Sequence, residues 1–215
     1  MPIVYRSDLG RPLTYGEMDG NFSDLAERTD LAWAQVGGEP SVIEGSGNAP
    51  ELVPFIGGIN AWSYSATALS EAFSTSDLPF DWCPGTDMVY GIHWSPGNST
   101  ATGTVRFGLE FTYAWAYGQN SSSVFPATTT IYIQPTITTG TAYEHYLHFN
   151  DPAANFPGNL AQQNMRFLVR VFRDGGNAAD TFPDPVFIIG TDLFYQTDRL
   201  GTPTKSPPFP TTPIT

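Results

Sequence analysis

Cysteine is almost missing from this chain, with Cys83 alone among 215 residues. That excludes an internal disulfide and a thiolate metal cluster, and a lone Cys83 reads as a small buried apolar side chain. Positive charge is scarce as well: nine Lys and Arg stand against 21 Asp and Glu, giving a formal net charge of −12 and a pI near 4.3. Such a surface repels a phosphate backbone, which excludes nucleic acid and anionic membrane as partners. No apolar run reaches the roughly 18 residues of a spanning helix, and no charged head with an apolar run behind it opens the sequence. The expectation is a chain neither inserted in a membrane nor secreted by signal peptide. The nucleophile elbow, the phosphate loop, the dinucleotide fingerprint and the zinc helix are also missing. Nothing names a nucleophile, so no enzyme, cofactor or metal centre is expected.

What is plentiful is glycine (21), proline (19) and aromatic side chains (14%), the profile of many short strands joined by punctuated turns. The stretch Gly103–Ala116, GTVRFGLEFTYAWA, is the strongest element. Val105, Phe107, Leu109, Phe111, Tyr113 and Trp115 alternate with Thr104, Arg106, Gly108, Glu110, Thr112 and Ala114. Period two over such a length predicts a long strand with one buried face, and that face needs a second sheet roughly 10 Å away.

Earlier in the chain, Thr14 stands three residues before Glu17 as a capping box, with Leu13 and Met18 at the two positions of a hydrophobic staple. A helix over about 14–36 is predicted, with Met18, Phe22, Leu25, Thr29, Ala32 and Val36 as its apolar stripe and Gly37-Gly38 as its stop. Two readings stay open for that stripe: a short coiled coil, or an amphipathic helix lying on its own domain or on a larger neighbour. Residues 39–60 lack a sustained period and read as a linker or arm before a domain over 61–200.

In that domain, strands are expected near 61–66, 71–75, 87–94, 103–116, 127–134, 143–149, 165–172 and 186–197, and residues 201–215 form a Pro-rich tail. About eight strands without crossover helices predict an antiparallel, jelly-roll-like β-sandwich with a short N-terminal helix. Asn98 and Asn120 sit in glycosylation-type triplets but read as turn residues.

Few side chains suggest chemistry. His145 and His148, three apart on a strand, point to opposite faces and make no metal pair, and His93 reads as a packed or edge histidine. Asp77, Asp81 and Asp87, and likewise Asp180, Asp184 and Asp192, match no calcium loop and read as solvated turn carboxylates. Trp82, Trp115 and Tyr117 fall at strand ends or loops, where rings can stack on sugars or partner chains.

Two stretches carry a resemblance. Arg11-Pro12-Leu13-Thr14, Glu17-Met18-Asp19, Asn21-Phe22, Leu25 and Arg28 resemble the N-terminal segment of tail-fibre, appendage and other virion proteins of tailed bacteriophages. His93-Trp94-Ser95-Pro96, GTVRFGLEFTYA, Phe125–Thr130 and the Asp192–Lys205 stretch with Pro207-Pro208-Phe209 resemble small phage β-sandwich structural proteins. The resemblance implies a non-enzymatic component of the virion exterior, commonly a homotrimer, docked on other virion proteins by its N-terminal segment through Leu13, Met18, Phe22, Leu25 and Val36. A tail fibre or appendage leads, and a capsid decoration protein is the alternative. A host-glycan-binding module using Trp82, Trp115 or Tyr117 is the second alternative.

Overall fold

The computed structural model describes residues 12, 14–15, 18, 32–38, 40–41, 48–83, 85–115, 124–151, 156 and 165–197. Among these are twelve strands. In chain order they are β1 (Ala32–Gly38), β2 (Glu51–Ile56), β3 (Ile59–Tyr64), β4 (Leu69–Asp77), β5 (Val89–Ser95) and β6 (Gly103–Thr104), then β7 (Phe107–Ala114), β8 (Thr129–Ile133), β9 (Thr136–Ile137), β10 (Tyr146–Phe149), β11 (Arg166–Asp174) and β12 (Val186–Thr197).

All named pairings are antiparallel. One sheet runs β10-β5-β12-β3-β2, with β1 also paired to β12, and the second runs β4-β11-β7-β8. From β3 to β7 and again from β8 to β12 the longer strands alternate between the sheets, and pairing is nested: β3 with β12, β4 with β11, β5 with β10, β7 with β8. That is the wrapping of a jelly roll.

The inner faces meet in one core. Tyr90, Ile92, Trp94, Ile188 and Leu193 of the larger sheet pack against Phe107, Leu109, Phe111, Phe167, Val169 and Val171 of the smaller, with the Trp94 and Phe107 rings 5.4 Å apart. The alternation read in GTVRFGLEFTYAWA is thus the core-facing pattern of β7. Its first part is separate, because the chain breaks at Val105-Arg106 and β6 pairs with β9 instead. In β12 a bulge between Ile188 and Gly190 pushes Ile189 outward, 48% exposed, so that both Ile188 and Thr191 face inward.

Two expectations need correction. Residues 32–38, placed in a helix or its stop, form β1, and Val36 pairs with Leu193 and packs on the core. The period 3–4 spacing is overridden because β12 offers a free edge to pair with, and a strand's backbone hydrogen bonds outweigh a weak propensity. Of the remaining helix, Met18 N–H donates to Thr14 O at 3.0 Å, and Leu13, Phe22 and Leu25 lie outside the described residues. The linker is also shorter than expected, since residues 51–60 build the β2–β3 hairpin around Gly57-Gly58, with Gly57 at φ 57°. Irregular Gly and Pro spacing hid a turn and an edge strand.

A buried charge pair ties the long loop before β12 to the core. Arg173 is 0% exposed, and Nε and Nη2 donate to Asp180 Oδ2 and Oδ1 at 2.9 Å each. Nη1 donates to Tyr64 O and Asp184 O, and Nη2 also to Phe182 O, so every guanidinium N–H has a partner. Asp180 further accepts from Arg106 N–H at 3.0 Å.

Candidate functional site

The outer faces of the two sheets differ sharply in chemistry. On the smaller sheet the face is covered by ion pairs: Arg170 bridges Glu71 at 2.5 Å and Glu110 at 2.7 Å, Thr128 Oγ1 donates to Glu110, and Arg166 meets Asp77 at 3.0 Å. The Thr128 hydrogen bond, then Arg170, lowers the Glu110 pKa. The same face also carries Tyr132, 40% exposed, and Phe172, but Arg106 lies over the first ring at 3.7 Å and Arg170 over the second at 4.6 Å, so these rings are taken up by guanidinium groups.

On the larger sheet the outward rings pack against one another instead. Its cross-strand pairs bring Leu147 beside His93, Phe149 beside Gly91, Gly91 beside Asp192, and Val89 beside Phe194. Val89 and Phe194 are buried under Trp33, Leu147 and Phe149. Gly91 is required beneath them, because a Cβ there would lie 2.9 Å from the Phe194 ring and 3.0 Å from Leu147 Cδ1. At the other end of the face, Phe55 packs edge-on against Phe187 at 4.9 Å and Tyr143 at 5.5 Å. Tyr143 is 41% exposed and sits at φ 59°, a left-handed conformation that is uncommon for a non-glycine residue. Its N–H donates to the carbonyl of Gly97, itself left-handed at φ 62°. Strain of this kind collects where a side chain is held for a purpose.

Between the two aromatic groups lies a polar line. His93 Nε2 is 2.6 Å from Asp192 Oδ2, and His93 Nδ1 is 2.8 Å from His145 Nε2. The ring centres of His93 and His145 are 5.0 Å apart with 24° between planes. That separation matches the nitrogen distance plus a ring radius at each end, so the rings lie edge to edge and share an in-line hydrogen bond. With Asp192 ionised, His93 donates from Nε2 and accepts at Nδ1 from His145 Nε2–H. Burial, then the neighbouring His93, lowers the His145 pKa. His148 faces inward instead, where Trp94 Nε1–H donates to its Nδ1 at 3.0 Å and burial pushes its pKa down to about 4.

The residues singled out from sequence fare differently. Trp82 is fully buried and donates from Nε1 to Thr86 O, so its ring belongs to the core and has no face free for a sugar. Trp115 is half-buried at the end of β7, packed on the same core, and Tyr117 lies outside the described residues. The acidic trios have separate tasks: Asp77 and Asp180 pair with arginines, Asp81 accepts from Tyr195 O–H at 3.1 Å, Asp184 accepts from Ser99 O–H at 2.6 Å, and Asp192 holds His93. Among the described residues no group of three or more His, Cys, Asp and Glu is arranged to hold a metal ion. The same residues include no helix long and apolar enough to cross a membrane.

Sequence reasoning passed over Phe55, Tyr143 and the His93–His145–Asp192 line. Phe55 fell in the supposed linker, and His93 and Asp192 stand 99 residues apart, adjacent only through β5–β12 pairing. The alternation of β12, apolar on both faces at Val186–Ile188, was the available signal that its outer face is not ordinary solvent surface.

Fold and face together define an antiparallel jelly-roll sandwich with an aromatic, hydrogen-bonding outer surface on its larger sheet. Neither a protein-family model nor a curated protein sequence matches the chain. Among solved structures, it is similar to the CBM22-1 and GH10 modules of Clostridium thermocellum endo-1,4-β-D-xylanase 10B, complexed with xylohexaose, at 13% identity and a TM-score of 0.35 over 80% of this chain and 28% of that one. It is also similar to CBM28, a carbohydrate-binding module specific for non-crystalline cellulose, at 11% identity and TM-score 0.30, covering 80% of this chain and 88% of that one. A third similar structure concerns the promiscuous specificity of β-sandwich carbohydrate-binding modules, at 11% identity and TM-score 0.30, over 80% of this chain and 57% of that one. The chain therefore spans under a third of the first structure and just over half of the third.

Proposed function

We propose that this chain is a non-catalytic β-sandwich that binds a glycan on the outer face of its larger sheet. The observation that carries the reading is the composition of that face, where exposed Tyr143 and the rings around Phe55 and Phe187 adjoin His93, His145 and Asp192. Rings take the apolar C–H faces of a sugar, and the imidazoles and carboxylate take its hydroxyls. Both nitrogens of His93 are engaged, one by Asp192 and one by His145, so the pair is not poised on a nucleophile as in a hydrolytic triad. The net charge of −12 favours neutral over acidic sugars.

The test is calorimetric titration of the full chain with neutral and acidic oligosaccharides, cellohexaose and xylohexaose among them. Saturable binding that falls about tenfold in Tyr143→Ala, with an unchanged urea midpoint, supports the reading. Absence of binding across the set overturns it.

A virion setting, implied by the N-terminal resemblance, is a second reading. Val36 of the proposed anchor pairs with Leu193 in β12, so residues 32–38 belong to the same sheet as the binding face. Light scattering of the full chain checks the homotrimer, and the number of copies per particle separates a fibre from a capsid decoration protein.

A further inference from the structure

We propose that the Asp192–His93–His145 line is an acid-sensitive latch, holding residues 141–145 and the Tyr143 ring in place until both imidazoles are protonated, and then releasing them. Its consequence for binding rests on the glycan reading, but the latch itself stands on geometry.

Counting protons gives the mechanism. With Asp192 ionised and both rings neutral, one proton lies between His93 Nδ1 and His145 Nε2. A first added proton leaves that bond intact, because a cationic ring donates to a neutral one, and Asp192 balances the charge. This step belongs to the pair rather than to either ring. A second proton places N–H groups and positive charges on both sides of a 2.8 Å gap, and the contact cannot survive.

The surroundings favour release on the His145 side. From β12 the titratable group facing His93 is Asp192, and from the start of β10 it is His145, flanked by Glu144, whose carboxylate accepts from Tyr146 O–H. From β1, Gly37 lies against Asp192, where a Cβ would come within 3.2 Å of Oδ1. Behind β5 and β12, Tyr90 is buried and feels the Asp192 charge, which helps keep its phenol protonated. His93 is thus fixed from behind, whereas residues 141–145 are exposed. That segment is held at Tyr143 N–H to Gly97 O, by the edge contact of the Tyr143 ring with Phe55 and by the His145 contact. Burial and the nearby His93 both hold the His145 pKa below its ordinary value, so the second proton arrives only in acid.

The chain has three histidines, which makes the test tractable by long-range proton–nitrogen NMR of the full protein from about pH 8 to about pH 4. The expected result is a two-step coupled titration of His93 and His145, with amide exchange at Tyr143, corrected for intrinsic rate, rising about tenfold at the second step. In His93→Gln exchange is expected to be fast and flat across that range. A single-step titration of His145 unmoved by His93→Gln, or exchange that stays constant in the wild type, overturns the latch. Cellohexaose affinity measured alongside should weaken in step with the second titration. If no oligosaccharide binds while the coupled titration appears, the glycan reading falls and the latch stands. Equal affinity on both sides of the second step overturns the latch as a regulator of this face.

Discussion

Asp180→Ala is expected to be among the most damaging single changes in the sandwich. It removes both acceptors that face Arg173 Nε and Nη2 at 2.9 Å, leaving a fully buried guanidinium with only the carbonyls of Tyr64, Phe182 and Asp184. It also strips the Arg106 N–H of its acceptor. Breaking one side of a buried pair costs about 3–5 kcal/mol, because the surviving charge stays desolvated without compensation. With a urea slope of about 2 kcal/mol per molar for a domain of this size, the midpoint should fall by about 1.5–2.5 M. Equilibrium unfolding followed by tryptophan fluorescence reads this directly, since Trp94 is fully buried in the core. Asp180→Asn, which keeps an acceptor towards the guanidinium while removing the carboxylate charge, should lose clearly less than Asp180→Ala. A midpoint shift below about 0.5 M for Asp180→Ala, or an Asn variant no better than the Ala one, would refute the reasoning.

Three other outcomes are expected. Tyr64→Phe should raise stability by up to about 1 kcal/mol in thermal unfolding, because the Tyr64 hydroxyl is buried without a hydrogen-bond partner and burial raises its pKa. His148, held neutral by burial with a pKa pushed down to about 4, makes folding acid-sensitive. The unfolded chain takes up the proton first, so stability is complete above the ordinary histidine pKa near 6.5 and declines, by up to about 3 kcal/mol, as pH falls towards 4. His148→Asn should flatten that slope in urea midpoints measured across the range. Gly91→Ala should cost about 1–3 kcal/mol by pushing Phe194 and Leu147 apart, seen as a lower melting temperature, and normal stability would show that the outer cluster is loosely packed.

The sandwich was legible because its strands obey period two. Val105, Phe107, Leu109 and Phe111 all reached the core, and Val186–Thr197 has the bounds read from sequence. What escaped was decided by pairing at a distance. Val36 became a strand residue because β12 had an edge to fill, and no local pattern in residues 32–38 announces that. Leu52, Phe55 and Ile56 alternate imperfectly around Pro54, so an edge strand passed for a linker. The candidate site was the least legible part, since register alone brings His93 to Asp192 and a loop conformation carries His145 to it. The tryptophans illustrate the opposite error: Trp82 lies in a turn-rich stretch, yet its large apolar area found better use under the Thr197 end of β12 than in solvent.

The nested pairing has a bearing on how the molecule comes into being. The last strand described, β12, lies inside the larger sheet, bonded to β5 along one edge and to β3 and β1 along the other. Until it arrives, β5 and β3 have no common neighbour and the inner face of that sheet lacks Val186, Ile188 and Leu193. A chain growing from its N-terminus on the ribosome therefore cannot close this sandwich strand by strand. It must hold more than a hundred residues of aromatic-rich strand open until residues 186–197 emerge, and contacts so distant in sequence make for slow closure. Refolding from urea should accordingly run on the millisecond-to-second scale of high-contact-order β proteins, and a chain stopped before β12 should collect on chaperones rather than persist as a smaller domain.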